Sequence, residues 1–553
     1  MKRSLTIAFL FVAVFSVAQA SLSAPAARPK LIVGIAIDQF RADYLERFSD
    51  LFGEDGFRRL LQEGAVFADA QHLHSVTVTA PGHAAFMTGT VPTQNGIIAN
   101  EWFDRAEGKK VSSVSDDGEK PVGSSSGNAA SPHRLIGSTL GDELKLSNGG
   151  VSRVIGISMK DRAAILPAGH HPNGAFWFDS STGQFITSTY YMKELPSWAI
   201  RFNSSHPADA YFGKTWTKLR PEADYKRSGI DDSPYESPET KRRVFPYVIN
   251  GGDKRPSPAF YEQLLVSPFS NELLLAFAKA AIEGEHLGEH EVTDLLTISF
   301  SCNDTIGHNY GPYSHEVEDV TLRTDIVLSD LFHYLDSKLG RDGYVVALTA
   351  DHGAAPSPEQ AQALGLGGGR YSDSEVVDAA SNALQKKFGA EKWILAYEGQ
   401  NLYLDHAAAA RHNVRVSDLA RTAADAILQL EPIAFGFTEE DLTTGRLPAD
   451  PFFQRFVRNY FPGRTGDVLV VQKPYYISGK NTTGHGSPYS YDSSVPVILW
   501  GPYFIPGRYS SAASPADIAP TLAFVLHIIR PSNAVGRVLT EALVSPSTML
   551  QRE

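Results

Sequence analysis

Five apolar runs punctuate the chain, and four of them lead into side chains that can do chemistry. Residues 31–37 stop at Asp38, and 154–157 lead to Lys160 and Arg162. Residues 295–300 lead to Asn303 and Asp304, and 344–350 end at Asp351-His352. The fifth run, 495–500, ends at Gly501-Pro502. Continuous β-branched runs of this length predict strands covered on both faces, as in a parallel sheet. Between them lie stretches with helical spacing of apolar positions, notably 271–282 and 316–339. Alternating strand and helix predicts a layered α/β domain. In such a sheet ligands bind beyond the carboxyl ends of the strands, where four of these runs deliver their polar residues.

Two blocks break the alternation. Residues 165 to about 285 are rich in aromatics, Pro and Gly, with few clear core strands, and residues 358 to about 480 precede a late histidine, His485. Both are expected to be insertions into one domain spanning 21–553. The Ser/Gly-rich stretch 111–132 is expected to be a mobile loop. The helix that follows Ser314-His315-Glu316 is expected to pack on the sheet, with its acids forming a solvated face. The chain contains no internal repeat.

The amino terminus departs from globular patterning. Lys2-Arg3 precedes a 13-residue apolar stretch, Leu5 to Val17, and then Ala18-Gln19-Ala20. That order predicts a signal peptide over 1–20, too short in its apolar part for a bilayer span. No later segment is apolar enough to span a membrane, so a soluble protein exported to the periplasm or medium of a bacterium is expected. The 553 residues are 42% hydrophobic and 20% charged, ordinary for a globular chain. The single cysteine, Cys302, excludes an intramolecular disulfide and is expected to pack in the core. Residues 1–20 hold two bases and no acids, so removing them takes the net charge from −12 to −14. With no basic stripe, nucleic acid is excluded as a partner, and any positive charge for an anionic substrate must be local.

Asp304 and His308 stand at i and i+4, so one helical turn brings both to a common point. With Asp38, Asp351, His352 and His485 they make three carboxylates and three imidazoles. Catalytic zinc takes three protein ligands and keeps a position open, so six residues suffice for two ions. Two metals about 4 Å apart stabilise the attacking and leaving oxygens of an in-line displacement, which suits phosphoryl transfer. The nucleophile is sought in "HSVTVTAPGHAAFMTG", where a hydroxyl at a helix start would meet backbone N–H groups favourable to anions. Spacing alone leaves Ser75, Thr77 and Thr79 open.

The segments "IAIDQFRADYL", "TVTAPGHAAFMTGTVPTQNGIIAN", "SFSCNDTIGHNYGP", "TADHGAAP" and "TGHGSPYSYDSSVPVILWGP" occur in the order of the alkaline phosphatase superfamily. The chain most resembles the phosphate-irrepressible bacterial alkaline phosphatases that use threonine as nucleophile; nucleotide pyrophosphatase/phosphodiesterases are close relatives. The likeness spans residues 31 to about 540. It implies an alkaline-phosphatase-like three-layer α/β/α sandwich with a mostly parallel sheet and inserted cap segments. It implies two zinc ions, one on Asp304, His308 and His485, the other on Asp38, Asp351 and His352 with the Thr79 oxygen. Thr79 would form a phosphothreonine that is then hydrolysed, and Asn100 would hold a phosphate oxygen. Lys160 and Arg162 match a Lys-x-Arg pair of the monoesterases, suited to the extra charge of a monoester dianion. The substrates implied are small phosphate monoesters, acted on by a monomer. His83 is expected to support the site from behind, while His72, His74, His170 and His171 have no assigned role. The alternative on the same residues is a phosphodiesterase or nucleotide pyrophosphatase. An arylsulfatase is disfavoured because Cys302 lacks the Cys-x-Pro-x-Arg setting, and a silent metal-binding protein is disfavoured by the intact nucleophile and ligands.

Overall fold

In a computed structural model, which describes residues 28–127, 129–236 and 242–544, all five apolar runs are strands of one ten-stranded sheet. The segment read as a signal peptide lies outside the described residues. At the centre, Tyr344–Thr349, Leu31–Ile37, Asp294–Phe300, Val154–Ser158 and Gly174–Asp179 lie side by side and parallel. Every residue of these five strands is buried, the state the apolar runs of four of them predict. Alternate residues of the Leu31–Ile37 strand enter different cores. Leu31, Val33, Ile35 and Ile37 pack with helices Phe269–Gly284 and His315–Leu339, while Ile32 and Ala36 pack with helices Thr79–Thr88 and Ile518–Leu526. A period of two across a sheet with helices on both faces is the three-layer α/β/α sandwich.

Four expectations need correction. The strand Val497–Trp500 runs antiparallel to Tyr344–Thr349, because a fully buried strand reads the same in either direction. The sheet continues through Gly174–Asp179 and Gln184–Ser188, inside the block expected as an insertion from 165. Their aromatic sequences GAFWFD and QFITS suit strands as well as β-branched runs do. The stretch 111–132 is not a bare loop: Lys109–Ser112 pairs with Glu101–Asp104, and Pro121–Val122 adds an edge strand to the main sheet. The acids in the first half of helix His315–Leu339 do not face solvent, since Glu316, Glu318, Asp319 and Asp325 are all buried, whereas Asp330 is exposed as expected. Asp319 accepts from Trp216 Nε1, Leu219 N–H and Arg323, and Asp325 from Gly53 and Phe57 N–H. Those acids clasp neighbouring chain instead of water.

The later inserted block builds its own antiparallel sheet, ordered Ile394–Glu398, Asn401–Leu404, Val468–Gln472, Ile433–Thr438. Helices Asp373–Phe388 and Val416–Ile427 cover it through a separate apolar core. Its hairpin turn, Gly399-Gln400, has φ of 55° and 67°, the doubly positive pattern of a tight primed turn. Cys302 is buried, as expected of a free cysteine. Among the described residues no single helix is long and apolar enough to cross a membrane.

Candidate active site

Strand order sets the site. Tyr344–Thr349, Leu31–Ile37, Asp294–Phe300 and Val154–Ser158 are consecutive neighbours, so their carboxyl ends bring Asp351, Asp38, Asp304 and Lys160 to one edge. Asp304 and His308 lie one turn apart on helix Cys302–Tyr310, with His308 Nε2 3.2 Å from Asp304 Oδ1. His485 Nε2 lies 3.2 Å from His308 Nε2 and 3.6 Å from Asp304 Oδ1. The outer ring nitrogens are held by carbonyls, His308 Nδ1 by Thr483 O at 3.2 Å and His485 Nδ1 by Thr77 O at 3.1 Å. Both imidazoles therefore aim Nε2 inward, as a backbone-anchored metal ligand does.

The other set is more deeply buried. His352 Nε2 is 3.4 Å from Asp38 Oδ1 and 3.5 Å from Asp351 Oδ2, while His352 Nδ1 faces Gly353 O at 2.9 Å. Asp38 Oδ1 and His352 Nε2 are buried and lack any hydrogen-bond partner, and Asp351 Oδ2 has only His83 Nδ1 beside it, at 3.2 Å. Asp38 and His352 also come within one ion's reach of Asp304, so the two ligand sets adjoin. Lys160 Nζ bridges them, 2.6 Å from Asp38 Oδ2 and 2.5 Å from Asp304 Oδ2. An ammonium stands where carboxylates from both sets need positive charge. Mixed carboxylate and imidazole donors with orphaned inward atoms fit divalent ions such as zinc.

The charges follow from this crowding. Burial and the charge of Asp351 push Asp38 well above the ordinary carboxylate range, against the pull of Lys160. Burial acts the same way on Asp304 and Asp351, but Lys160 and His308 hold Asp304 well down, and His352 and His83 hold Asp351 down. Burial lowers His352, and burial with His352 and His308 lowers His485 far below its usual value. Both rings are thus neutral, with a lone pair to offer. Burial opposes the charge on Lys160, yet Asp304 and Asp38 raise its affinity for the proton, so it stays cationic.

Thr79 opens helix Thr79–Thr88, all ten residues of which are buried. Close approach of this helix to the second set needs Gly82, where a Cβ would sit 2.2 Å from the Asp351 carbonyl oxygen. The Ala80 N–H donates to Asn100 Oδ1 at 2.7 Å, leaving the Asn100 amide nitrogen to donate elsewhere, one residue from Thr79. Arg162 lies in the first turn of helix Asp161–Ala168; its nearest ion-pair partner is Asp161 at 3.8 Å, and its Nε is unpartnered. His83 braces the site: its Nδ1 lies 2.9 Å from Thr79 O and 3.2 Å from Asp351 Oδ2, and its Nε2 meets Ser299 Oγ at 2.7 Å.

Two residues escaped the sequence reading. Gln39 adopts φ of 59°, costly for a side chain with a Cβ, and is buried. Its N–H donates to Asp351 Oδ1 at 3.1 Å and its Nε2 to Asp304 Oδ1 at 2.7 Å, tying one carboxylate of each set. Asp492 Oδ2 accepts from Ser487 N–H and Oγ–H, and its carbonyl accepts from Gly353 N–H at 2.7 Å. Ser487 O in turn accepts from Thr77 Oγ–H at 2.7 Å. Asp492 thereby ties the turn after His352, the His485 loop and the approach to Thr79. Adjacency to Asp38 was the one available signal for Gln39; nothing local marks Asp492. The inserted hairpin also reaches in, with Gln400 Nε2 donating to Gly486 O at 2.8 Å.

A parallel-sheet edge bearing two adjoining carboxylate–imidazole groups, a helix-borne threonine and a lysine bridge defines a phosphoester hydrolase of α/β/α architecture. The family profile described as type I phosphodiesterase / nucleotide pyrophosphatase matches residues 32–488, and the chain belongs to this family. It is 37% identical over 522 residues to alkaline phosphatase PafA of Elizabethkingia meningoseptica, covering 93% of this chain and 95% of that one. It is 36% identical over 521 residues to alkaline phosphatase PhoV of Synechococcus elongatus, covering 94% and 93%. The crystal structure of wild-type PafA matches with a TM-score of 0.86 over 94% of this chain and 99% of that chain, at 37% identity. A PafA variant with a threonine, an asparagine, a lysine and an arginine replaced matches equally well, at 0.86. Murine ectonucleotide pyrophosphatase/phosphodiesterase 5, at 13% identity and a TM-score of 0.50, shares the fold alone. The protein is therefore an enzyme of the alkaline phosphatase type, a phosphoric monoester hydrolase.

Proposed function

We propose that the protein is an exported phosphatase that transfers the phosphoryl group of small monoesters first to Thr79 and then to water. Asp304, His308 and His485 would hold one zinc ion, and Asp38, Asp351 and His352 the other. Bound there, the two ions would supply positive charge for the attacking and leaving oxygens. Thr79 Oγ bonds to phosphorus as the ester oxygen leaves and takes up a proton; water then displaces the threonine oxygen. Ala80 N–H orients Asn100, and the amide of Asn100 is free to hold a non-bridging oxygen. Lys160 and Arg162 meet the additional charge of a monoester dianion, once metals relieve Asp38 and Asp304 of their need for the ammonium.

The observation that supports this reading is the pair of buried, unpartnered atoms Asp38 Oδ1 and His352 Nε2 beside an ammonium shared between the two groups. Buried charges persist only when paired, and this centre pairs through a cation. A second reading, diester cleavage, is favoured by the family description that matches the chain. The deciding experiment compares kcat/KM for a phosphate monoester and a diester with the same aryl leaving group, with and without chelator. A chelator-sensitive monoester preference of at least about 100-fold is expected, the scale of one well-placed charged donor. A diester preference would move Lys160 and Arg162 out of the phosphate site, and turnover indifferent to chelator would end the metal assignment.

A further inference from the structure

A cavity of about 240 Å³ lies between the His485 loop and the hairpin of the inserted sheet. Gly484 and His485 line one side, and Tyr397, Glu398, Gln400 and Gln472 line the other. The hairpin tip packs on the chain to either side of Asn100. A Cβ on Gly399 would sit 2.8 Å from Glu101 O and 2.9 Å from Ala99 Cβ. The same tip holds the His485 loop, through Gln400 Nε2 donating to Gly486 O at 2.8 Å. Thr79 belongs with the other ligand set, since His83 joins its carbonyl to Asp351 Oδ2. In an in-line displacement the leaving oxygen departs opposite the attacking one. With Thr79 attacking from the Asp351 side, the leaving group departs toward Asp304, His308 and His485, the set that borders the cavity.

The lining is rich in acceptors, and one of them is unanswered. Gln472 is 7% exposed, and its Oε1 is buried without a hydrogen-bond partner. A buried amide oxygen in that state is costly until a donor reaches it. The carboxylates are already answered. Lys110 Nζ stands 3.1 Å from Glu398, and Ser478 Oγ–H donates at 2.6 Å to Asp373, which also lines the cavity. What fits is a neutral group that donates hydrogen bonds. Pockets for drug-sized ligands enclose roughly 300–1,000 Å³, so this smaller one suits a single sugar-sized fragment. We propose that the cavity is the leaving-group subsite, taking the polyhydroxylated alcohol of a sugar or polyol phosphate and selecting it through Gln472, an assignment that rests on the bimetal phosphatase reading. Gln472 ends the strand Val468–Gln472, and Tyr397 and Glu398 belong to Ile394–Glu398. The inserted sheet thus sets specificity for chemistry assembled on the main sheet.

The test uses the full zinc-loaded enzyme and two esters of matched shape, glucose 6-phosphate and cyclohexylmethyl phosphate. Both carry a six-membered ring on a primary alcohol, and only the first carries hydroxyls. Wild-type kcat/KM should favour the sugar ester at least about tenfold, the scale of one net neutral hydrogen bond. Gln472→Leu should cut that ratio about tenfold. Tyr397→Phe, a smaller change in the same lining, should lower it in the same direction and keeps the test readable where the leucine variant is unstable. A wild-type ratio near one would overturn the proposal, as would a ratio that neither substitution moves. Equal loss of both turnovers would also overturn it, since Gln472 would then be a support of the fold alone. A stronger preference for 2-aminoethyl phosphate than for the sugar ester would overturn the polyol assignment and make the carboxylates a seat for a cation. Failure of the bimetal reading would look different: both esters would be hydrolysed regardless of chelator, and the leaving-group assignment would fall with it.

Discussion

At the scale of single residues the site separates chemistry from positioning. Thr79→Ala should lower kcat/KM at least about 1,000-fold while Thr79→Ser keeps most of it, because only the hydroxyl oxygen accepts phosphorus. Steady-state kinetics with equal zinc loading checks this, and an active alanine variant would return the nucleophile to Ser75 or Thr77. Gln39 makes no bond to phosphorus, yet its backbone and side chain hold one carboxylate of each ligand set. Gln39→Gly accommodates the left-handed backbone and deletes the amide, so zinc affinity should fall about 10–100-fold, as for other supports of metal ligands. A competitive chelator titration reads that loss, and unchanged affinity would leave Gln39 as packing alone. The candidate ligands proposed for the metals were legible because charged or imidazole groups at the ends of buried strands have few structural reasons to be there. Gln39 was not, since its φ of 59° exists only in the fold.

At the scale of elements, helices and loops carry the ligands only as well as their own packing allows. Helix His315–Leu339 buries Val317, Val320, Leu328, Leu331 and Leu335 against the sheet layer. Leu331→Ala should cost about 2–5 kcal/mol by leaving a cavity, measured as a lowered urea midpoint. A smaller change would mean that the helix shifts to refill the space. Asp492 works between elements, and Asp492→Ala should release Ser487 from its side chain and lower turnover about 10–100-fold. Rescue by Asp492→Asn, which keeps one acceptor, would mark its role as positional. Apolar pattern predicted these elements well where burial was two-sided, as in Leu31–Ile37. It missed Gly174–Asp179, whose short aromatic run lies in a block of irregular composition. It also put the first-half acids of helix His315–Leu339 in water, because spacing cannot reveal that other chain will cover an outer face.

At the scale of the whole molecule, pH should act on stability through a buried pair of glutamates away from the active site. Glu316 and Glu236 hold protons in the folded state up to about 8 and 10, whereas the ordinary glutamate value is 4.5. The folded state therefore binds more protons than the unfolded one across that window, and stability should fall as pH rises through it. Lys218 beside Glu316 and Arg243 beside Glu236 temper the slope, while Asp231 and Asp232 steepen it. Tm across pH checks the sign, and a rise over that range would contradict it. The sequence by itself determined which candidate residues stand at the strand ends and their order along the chain. It also determined that they gather at one edge of an α/β sheet, because buried strands must be apolar and must end where polarity begins. Only the tertiary structure decided that Val497–Trp500 runs antiparallel and that Asp38, Asp304 and His352 adjoin through Lys160. Gln39 reaches partners 312 and 265 residues away, a contact set by strand order and close packing. Local pattern encodes burial and period. Pairing between distant segments depends on how the covered faces fit, which no stretch of sequence contains alone.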